Sequence, residues 1–147
     1  MRILALDVGD KTIGVAVSDW LLLTAQGVEV IRRAGWARDI SRLRQLIDEY
    51  EADTLLIGFP KNMNGTVGPR GETTLAFAEQ LKAELPGMEI RFWDERLSTV
   101  AAERSLLMAD VSRAKRRQVI DKMAAVFILQ GYLDRLKRES VPGMSQT

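Results

Sequence analysis

Residues 2–19 read RILALDVGDKTIGVAVSD, and this stretch decides the fold. An apolar run ends in Asp7, Gly9 interrupts it, and a second apolar run begins at Ile13, which predicts two strands joined by a short turn. A strand this apolar is typical of burial on both faces, where an unpaired charge is costly. We therefore expect Asp7 at the edge of a sheet, facing a cleft, a cation or hydrogen-bond donors.

The composition predicts one globular domain. The chain has 147 residues, of which 46% are hydrophobic and 28% charged, and this is enough to bury a real core. We expect the domain to span residues 1–138 and residues 139–147 to form a flexible tail. No apolar run reaches the roughly 18 residues of a membrane span. The N-terminus enters a strand without a signal peptide, so we expect a cytoplasmic protein without a membrane partner.

The residue types that are absent narrow the chemistry. The sequence has no cysteine and no histidine, which excludes cysteine nucleophiles, Ser-His-Asp triads, disulfides and Cys/His zinc sites. Catalysis would have to rely on carboxylates, Lys, Tyr, Ser/Thr or a metal held by oxygen. Oxygen ligands suit Mg²⁺ or Mn²⁺.

The order of apolar segments predicts an α/β fold. Short links join the first three strands, so they should form an antiparallel meander. The predicted strands are 2–8, 13–19, 28–33, 54–59 and 89–94. Right-handed crossovers would place the first and fourth strands side by side and the fifth outside the fourth. This predicts a central mixed five-stranded sheet of order 3-2-1-4-5, flanked by helices.

Helical periodicity appears between and after these strands. The predicted helices are 38–50, about 72–84, one that Ser98 would cap, and about 118–137. A loop rich in Gly and Pro, 60–71, precedes the second helix, and a charged link precedes the last one.

Three acids are candidates for one site. Asp7 and the pair Asp94-Glu95 follow parallel strands, whose carboxyl ends share one edge of the sheet. Asp121 lies on a helical stripe that is otherwise apolar, so we expect it to face the protein, although it could simply complement the helix dipole. Three inward carboxylates could hold two Mg²⁺ or Mn²⁺ ions for phosphodiester hydrolysis, with Asp7 as the bridging ligand.

Basic and polar residues near these acids predict nucleic-acid contacts. Four cations fall within five residues just before the helix that carries Asp121, where a phosphate backbone would have to pass. They are Arg113, Lys115, Arg116 and Arg117. Further candidate donors to phosphates are Lys61, Asn62, Asn64, Thr66, Arg70, Arg96 and Lys122. Each of them could equally be an ordinary surface residue.

Four segments together resemble the YqgF (RuvX) family. They are Asp7-x-Gly9 with Gly14–Asp19, Gly58–Pro60 with Asn64–Thr66, Asp94–Thr99, and Ile120–Ala125 with Leu129-Gln130 and Tyr132–Asp134. The resemblance runs from about Arg2 to Asp134. It implies an RNase H-like fold and a Holliday-junction resolvase-like nuclease that is also linked to maturation of the small-subunit ribosomal RNA precursor.

The resemblance implies a metal site formed by Asp7, Glu95 and Asp121, the three acids already selected. Related resolvases carry their second acid on the fourth strand, which here ends Gly58-Phe-Pro60. The resemblance therefore implies a metal site whose second acid is in a different place from that of the related resolvases. Asp94 is the alternative to Glu95 as this ligand. Nucleic acid is the implied partner, and symmetric cleavage of a four-way junction would suit a homodimer.

Two rival functions belong to other classes. Asp-x-Gly followed by a hairpin also begins actin-like and sugar-kinase ATPases, but those proteins need a second similar domain, for which this chain has no room. A non-catalytic RNA-binding ribosome-assembly factor could retain the same fold. Metal-dependent cleavage separates the nuclease from both rivals.

Overall fold

The computed structural model describes residues 1–62, 64–97 and 113–139, with the backbone alone for residues 97 and 113–122. The strands are β1 (Ile3–Val8), β2 (Thr12–Ser18), β3 (Ala25–Arg32), β4 (Thr54–Phe59) and β5 (Glu89–Asp94). The helices are α1 (Trp36–Tyr50), α2 (Pro69–Glu84) and α3 (Arg113–Glu139), and a short 3-10 turn spans Glu95–Leu97. The helix predicted after Ser98 and the tail from residue 140 lie outside the described residues.

The five strands form one mixed sheet of order β3-β2-β1-β4-β5, which confirms the predicted topology. β1 pairs antiparallel with β2 and parallel with β4, while β5 lies parallel to β4. The carboxyl ends of β1, β4 and β5 therefore meet at one edge of the sheet. This arrangement follows from the short hairpin links and from the crossovers through α1 and α2.

Two apolar layers hold the sheet between its helices. On one face, Leu4, Leu6 and Val8 of β1 pack with buried residues of α1 and α2. On the other face, Ile3 and Ala5 pack with buried residues of α3. The alternation of β1 thus divides its side chains between two cores, as expected for a central strand covered on both sides.

Two helices begin at least three residues earlier than predicted, whereas α1 begins only two residues earlier, at Trp36. α2 begins at Pro69 instead of about Glu72, because proline suits the first turn of a helix and its missing N–H costs nothing there. α3 begins at Arg113 instead of Gln118, so the predicted charged link is wrong. Arginine and lysine are good helix formers, and a run of them can extend a helix beyond its apolar stripe. Arg70 and the four cations before Asp121 are consequently helical.

Among the described residues, none belongs to a helix that is long and apolar enough to cross a membrane.

Candidate active site

Asp7 lies at the carboxyl end of β1 on the face covered by α3. It follows Ile3 and Ala5 at alternate positions, and both of these side chains are fully buried against α3. Asp7 itself is only 8% exposed. In the antiparallel ladder it stands opposite Gly14, which brings no side chain into the space beside it. The strand therefore delivers a carboxylate to a largely buried edge, as the sequence predicts.

A cation already accompanies this carboxylate. The Nη2 atom of Arg70 lies 3.5 Å from Oδ1 of Asp7, and the arginine side chain remains 48% exposed. Arg70 is the second residue of α2, so its backbone stands at the same edge of the sheet. Because a buried carboxylate is costly without positive charge or donors, this contact offsets part of the cost of burying Asp7.

Asp94 and Glu95 are neighbours in sequence but differ in their surroundings. Arg96 donates to both carboxylate oxygens of Asp94, through Nε at 3.2 Å and through Nη2 to Oδ2 at 2.8 Å. The backbone N–H of Arg96 donates to Oδ1 at 3.0 Å. These hydrogen bonds hold the pKa of Asp94 below its usual value. Asp94 is therefore strongly engaged by the residue two positions after it.

Glu95 instead reaches the space in front of β4. Its Oε1 atom is buried and would lie 3.1 Å from a β-carbon placed on Gly58. Gly58 follows Ile57, which pairs with Leu6 just before Asp7, so Gly58 lies between the ends of β1 and β5. Of the two adjacent acids, Glu95 is therefore the one that places a carboxylate oxygen beside β4, the strand that pairs with β1.

Gly58 is a part of the site that the sequence prediction did not include. A β-carbon at this position would lie 2.4 Å from Cδ1 of Ile128, which packs from α3. Any larger residue would thus displace either the helix side chain or Glu95. A glycine inside an otherwise apolar central strand is the sequence feature that could have revealed this close approach.

The backbone of Asp121 belongs to α3, one turn before Ala125 and two turns before Ile128, which are both buried in the layer between α3 and the sheet. Its side chain lies outside the described residues. Within the side chains that the structure describes, no group of three acids is assembled around one point. The two placed acids are oxygen donors at a buried edge, which suits Mg²⁺ or Mn²⁺.

The loop before α2 is ordered by its own polar side chains. Nδ2 of Asn62 donates to Oγ1 of Thr66 at 2.9 Å, and Oδ1 of Asn64 accepts from the Thr66 backbone N–H at 3.1 Å. The ammonium group of Lys61 lies over the ring of Phe59. These contacts show Asn62 and Asn64 holding the turn, so their direct role in phosphate binding remains a prediction.

The loop also lies against Arg96. A β-carbon placed on Gly65 would be 3.4 Å from Nη1 of Arg96, and Gly65 has a φ of 87°, which favours glycine. The structure therefore brings together the Asp94–Arg96 pair and the tip of this loop. Arg113, Lys115, Arg116, Arg117 and Lys122 belong to α3 by their backbone, and their side chains lie outside the described part of the chain.

Residues 1–135 match the family model RuvX, which is described as "Holliday junction resolvase". The chain belongs to the RuvX family. It is 59% identical over 140 residues to a protein of Desulfitobacterium hafniense named "Putative pre-16S rRNA nuclease", covering 95% of this chain and 96% of that one. A protein of Clostridioides difficile with the same name is 63% identical over 133 residues, covering 90% and 94%. Family membership confirms the predicted class of enzyme, a nuclease.

Solved structures confirm the fold. RuvC of T. thermophilus in complex with a Holliday junction substrate aligns with a TM-score of 0.55 at 12% identity, over 93% of this chain and 96% of that one. A second T. thermophilus RuvC structure gives a TM-score of 0.51 at 10% identity, over 93% and 97%. The chain therefore has the RNase H-like fold. A resolvase-like nuclease of this fold acts on nucleic acid, and a divalent metal ion suits such an enzyme.

Proposed function

We propose that residues 1–138 form an endonuclease domain that hydrolyses phosphodiester bonds in structured nucleic acid with Mg²⁺ or Mn²⁺ held by Asp7, Glu95 and Asp121. The observation that carries the proposal is the arrangement of Asp7 and Glu95. Asp7 is 8% exposed, and Oε1 of Glu95 is buried beside Gly58, at the sheet edge where the carboxyl ends of β1, β4 and β5 meet. The chain also belongs to a nuclease family. Such a pair suits a cation better than it suits packing alone.

The divalent ion, when bound, would activate the attacking water and neutralise charge on the leaving oxygen. Asp7 would hold the ion from the central strand, which lies between β2 and β4. Glu95 would complete the site from the β5 side, and Asp121 from α3. The ion pair with Asp94 holds Arg96 beside the tip of the loop before α2, and from there Arg96 could bind a phosphate. Lys61, just after β4, and Arg70, at the start of α2, lie at the same edge of the sheet.

The amino-terminal part of α3 would bind the phosphate backbone beside the proposed metal site. Arg113, Lys115, Arg116, Arg117 and Lys122 share this helix with Asp121, so a strand that contacts them passes close to the proposed metals. The phosphate backbone dominates such binding and makes it depend on salt. Sequence-independent or structure-selective recognition follows more naturally from this charge than base readout does.

The precursor of small-subunit ribosomal RNA is our favoured substrate, and four-way junction DNA is the second candidate. The relatives at 59% and 63% identity are named for the RNA substrate, whereas the family model and RuvC are described by the junction. The proteins named for the RNA substrate are far more similar to this chain than RuvC is. Both nucleic acids belong to the bacterial cytoplasm, where we place the protein.

Cleavage assays test this function. We expect the purified protein with Mg²⁺ or Mn²⁺ to cut a structured RNA that spans an end of the small-subunit precursor, and EDTA to abolish the cleavage. The same assay on a four-way junction ranks the two substrates. Binding without metal-dependent cleavage of either substrate would instead favour a non-catalytic assembly factor. ATP hydrolysis that is unaffected by nucleic acid would favour the kinase-like alternative.

We also propose that the protein cuts junctions as a homodimer. Symmetric cleavage of two strands calls for two active sites related by a two-fold axis. The turn after β2 exposes Trp20, Leu21 and Leu23 at 54%, 76% and 47%, and an exposed apolar group of this kind is a candidate dimer contact. A sedimentation mass of two chains would support this proposal, and a monomer at every concentration and on junction DNA would refute it.

A further inference from the structure

Contacts of neighbouring residues hold the backbone of Arg70 in place beside the proposed metal site. Oγ1 of the buried Thr74 donates to the carbonyl oxygen of Arg70 at 3.0 Å. The next residue, Gly71, packs so closely that a β-carbon there would lie 2.8 Å from Cγ1 of Val67 and 3.1 Å from the carbonyl oxygen of Pro60. The backbone of Arg70 is thus fixed against the loop after β4, while its long side chain remains half exposed.

The guanidinium group of Arg70 makes a long contact with Asp7. It approaches Oδ1 of Asp7 to 3.5 Å, which is an ion pair without the short, bidentate geometry that Arg96 shows toward Asp94. A long contact between a half-exposed arginine and a buried carboxylate is easily exchanged, because the arginine can swing into solvent while its backbone stays in place.

We propose that Arg70 is an exchangeable counter-ion of Asp7. In the absence of nucleic acid, Arg70 competes with the divalent cation for this carboxylate. When the cation is bound, Arg70 turns to a substrate phosphate. This inference rests on the proposed function and adds a regulatory role for one residue of the site. Arg70 neutralises Asp7 while the enzyme is idle and so lowers the affinity of the free protein for metal. Nucleic acid offers Arg70 another anion, which leaves Asp7 available.

The chemistry of arginine supports both positions. Its guanidinium is always charged and presents several donors that match carboxylate and phosphate alike. A cation bound at Asp7 would repel the nearby guanidinium, and phosphate oxygens beyond the site would attract it. Metal and nucleic acid should therefore assist each other's binding, and the coupling must be reciprocal.

Metal binding to the protein alone provides the test. Mn²⁺ titrations followed by electron paramagnetic resonance measure the free ion, without substrate or turnover. We expect Arg70→Gln to bind Mn²⁺ about threefold to tenfold more tightly than the wild type at low ionic strength. Arg70→Lys, which keeps the charge, should stay closer to the wild type. The matched control is Arg44→Gln. Arg44 is 49% exposed and pairs with Glu84 at the far end of α2, so its loss should not change Mn²⁺ affinity.

A second titration measures the coupling to nucleic acid. Addition of a saturating structured RNA should tighten Mn²⁺ binding to the wild type, once the Mn²⁺ bound by the same RNA without protein has been subtracted and a gel has shown that the RNA is intact. The enhancement should be several-fold smaller in Arg70→Gln, whose Asp7 has no arginine to release. Equal enhancement in both proteins would overturn the proposal, as would unchanged or weaker Mn²⁺ binding by Arg70→Gln alone.

The variant Asp7→Asn separates this inference from the proposed function. If Asp7→Asn binds Mn²⁺ as the wild type does, the metal site itself is wrong and the proposed function fails. If Asp7→Asn loses Mn²⁺ binding while Arg70→Gln matches Arg44→Gln, the metal site stands and only the role of Arg70 is refuted.

Discussion

The two faces of the sheet use the same strands for different purposes. On the face toward α1 and α2, β1 presents Leu4, Leu6 and Val8, so this side is apolar to the end of the strand. On the face toward α3, the apolar series Ile3 and Ala5 ends in Asp7. One face of β1 is therefore apolar over its whole length, while the other ends in the carboxylate that we propose as a metal ligand.

The same contrast appears in two adjacent acids where β5 ends. Asp94, the last residue of β5, is held by Arg96 in a close ion pair. Glu95, the first residue of the 3-10 turn, places a buried oxygen beside Gly58 under the cover of Ile128. The change from strand to turn therefore gives the two neighbouring carboxylates different surroundings.

The largest expected effect comes from removing the charge of Asp7. We expect Asp7→Asn to lower the rate of metal-dependent cleavage at least roughly a thousandfold, because this metal ligand supplies several kcal/mol to the reaction. The free energy of unfolding of Asp7→Asn should either fall by no more than about 1 kcal/mol or rise, because a buried charge is replaced by an amide of similar size. Cleavage rates and denaturant unfolding measure the two effects.

Leu6→Ala is the control from the opposite face. Leu6 precedes Asp7 and is fully buried in the layer under α1 and α2. Its truncation should cost about 2–5 kcal/mol of stability while the folded fraction retains cleavage within a few-fold. A Leu6→Ala protein that is stable but inactive would break the proposed division between the faces.

An intermediate effect should distinguish Glu95 from Asp94. We expect Glu95→Gln to lower the cleavage rate on the order of a hundredfold, since one charged ligand oxygen is lost. Asp94→Asn should lower it only a few-fold, through the loosened Arg96. The reverse order of these two variants would make Asp94 the ligand and would contradict the separation of roles where β5 ends.

The sequence carried enough information for the topology of the sheet, whereas the set of acids that bind metal stays a prediction. Apolar runs and short links predicted the sheet order, because a central strand buried on both sides leaves little choice of neighbour. The start of α3 at Arg113 was missed, since a run of cations carries no apolar period. The contact between Arg70 and Asp7 and the space beside Gly58 depend on how α2 and α3 pack, which spacing along one chain does not determine.

The smallest expected effect is a pH dependence of stability from the Asp94–Arg96 pair. The pKa of Asp94 is lowered in the folded protein because Arg96 donates to it. The stability from this pair is therefore fully present above the unfolded pKa of about 3.9 and is lost as the pH falls through the folded pKa. We expect Asp94→Asn to be less stable than the wild type by about 1 kcal/mol or less at pH 7, with the difference vanishing toward pH 2.

A difference that stays constant from pH 7 to pH 2 would show that the pair does not stabilise the fold through its charge. Thermal unfolding of both proteins across this range, at one salt concentration, supplies the measurement. Salt should shrink the difference at pH 7, because both side chains retain some solvent contact.

The central claim is that Asp7 and Glu95 hold a divalent cation on the face of the sheet that α3 covers. The most direct test is a crystal structure with Mn²⁺, in which the anomalous signal locates the metal. We predict a peak about 2.1 Å from carboxylate oxygens of both Asp7 and Glu95, with Arg70 withdrawn from Asp7. A peak bound by Asp94 without Glu95, or metal absent from Asp7 in a protein that cleaves nucleic acid, would contradict this account.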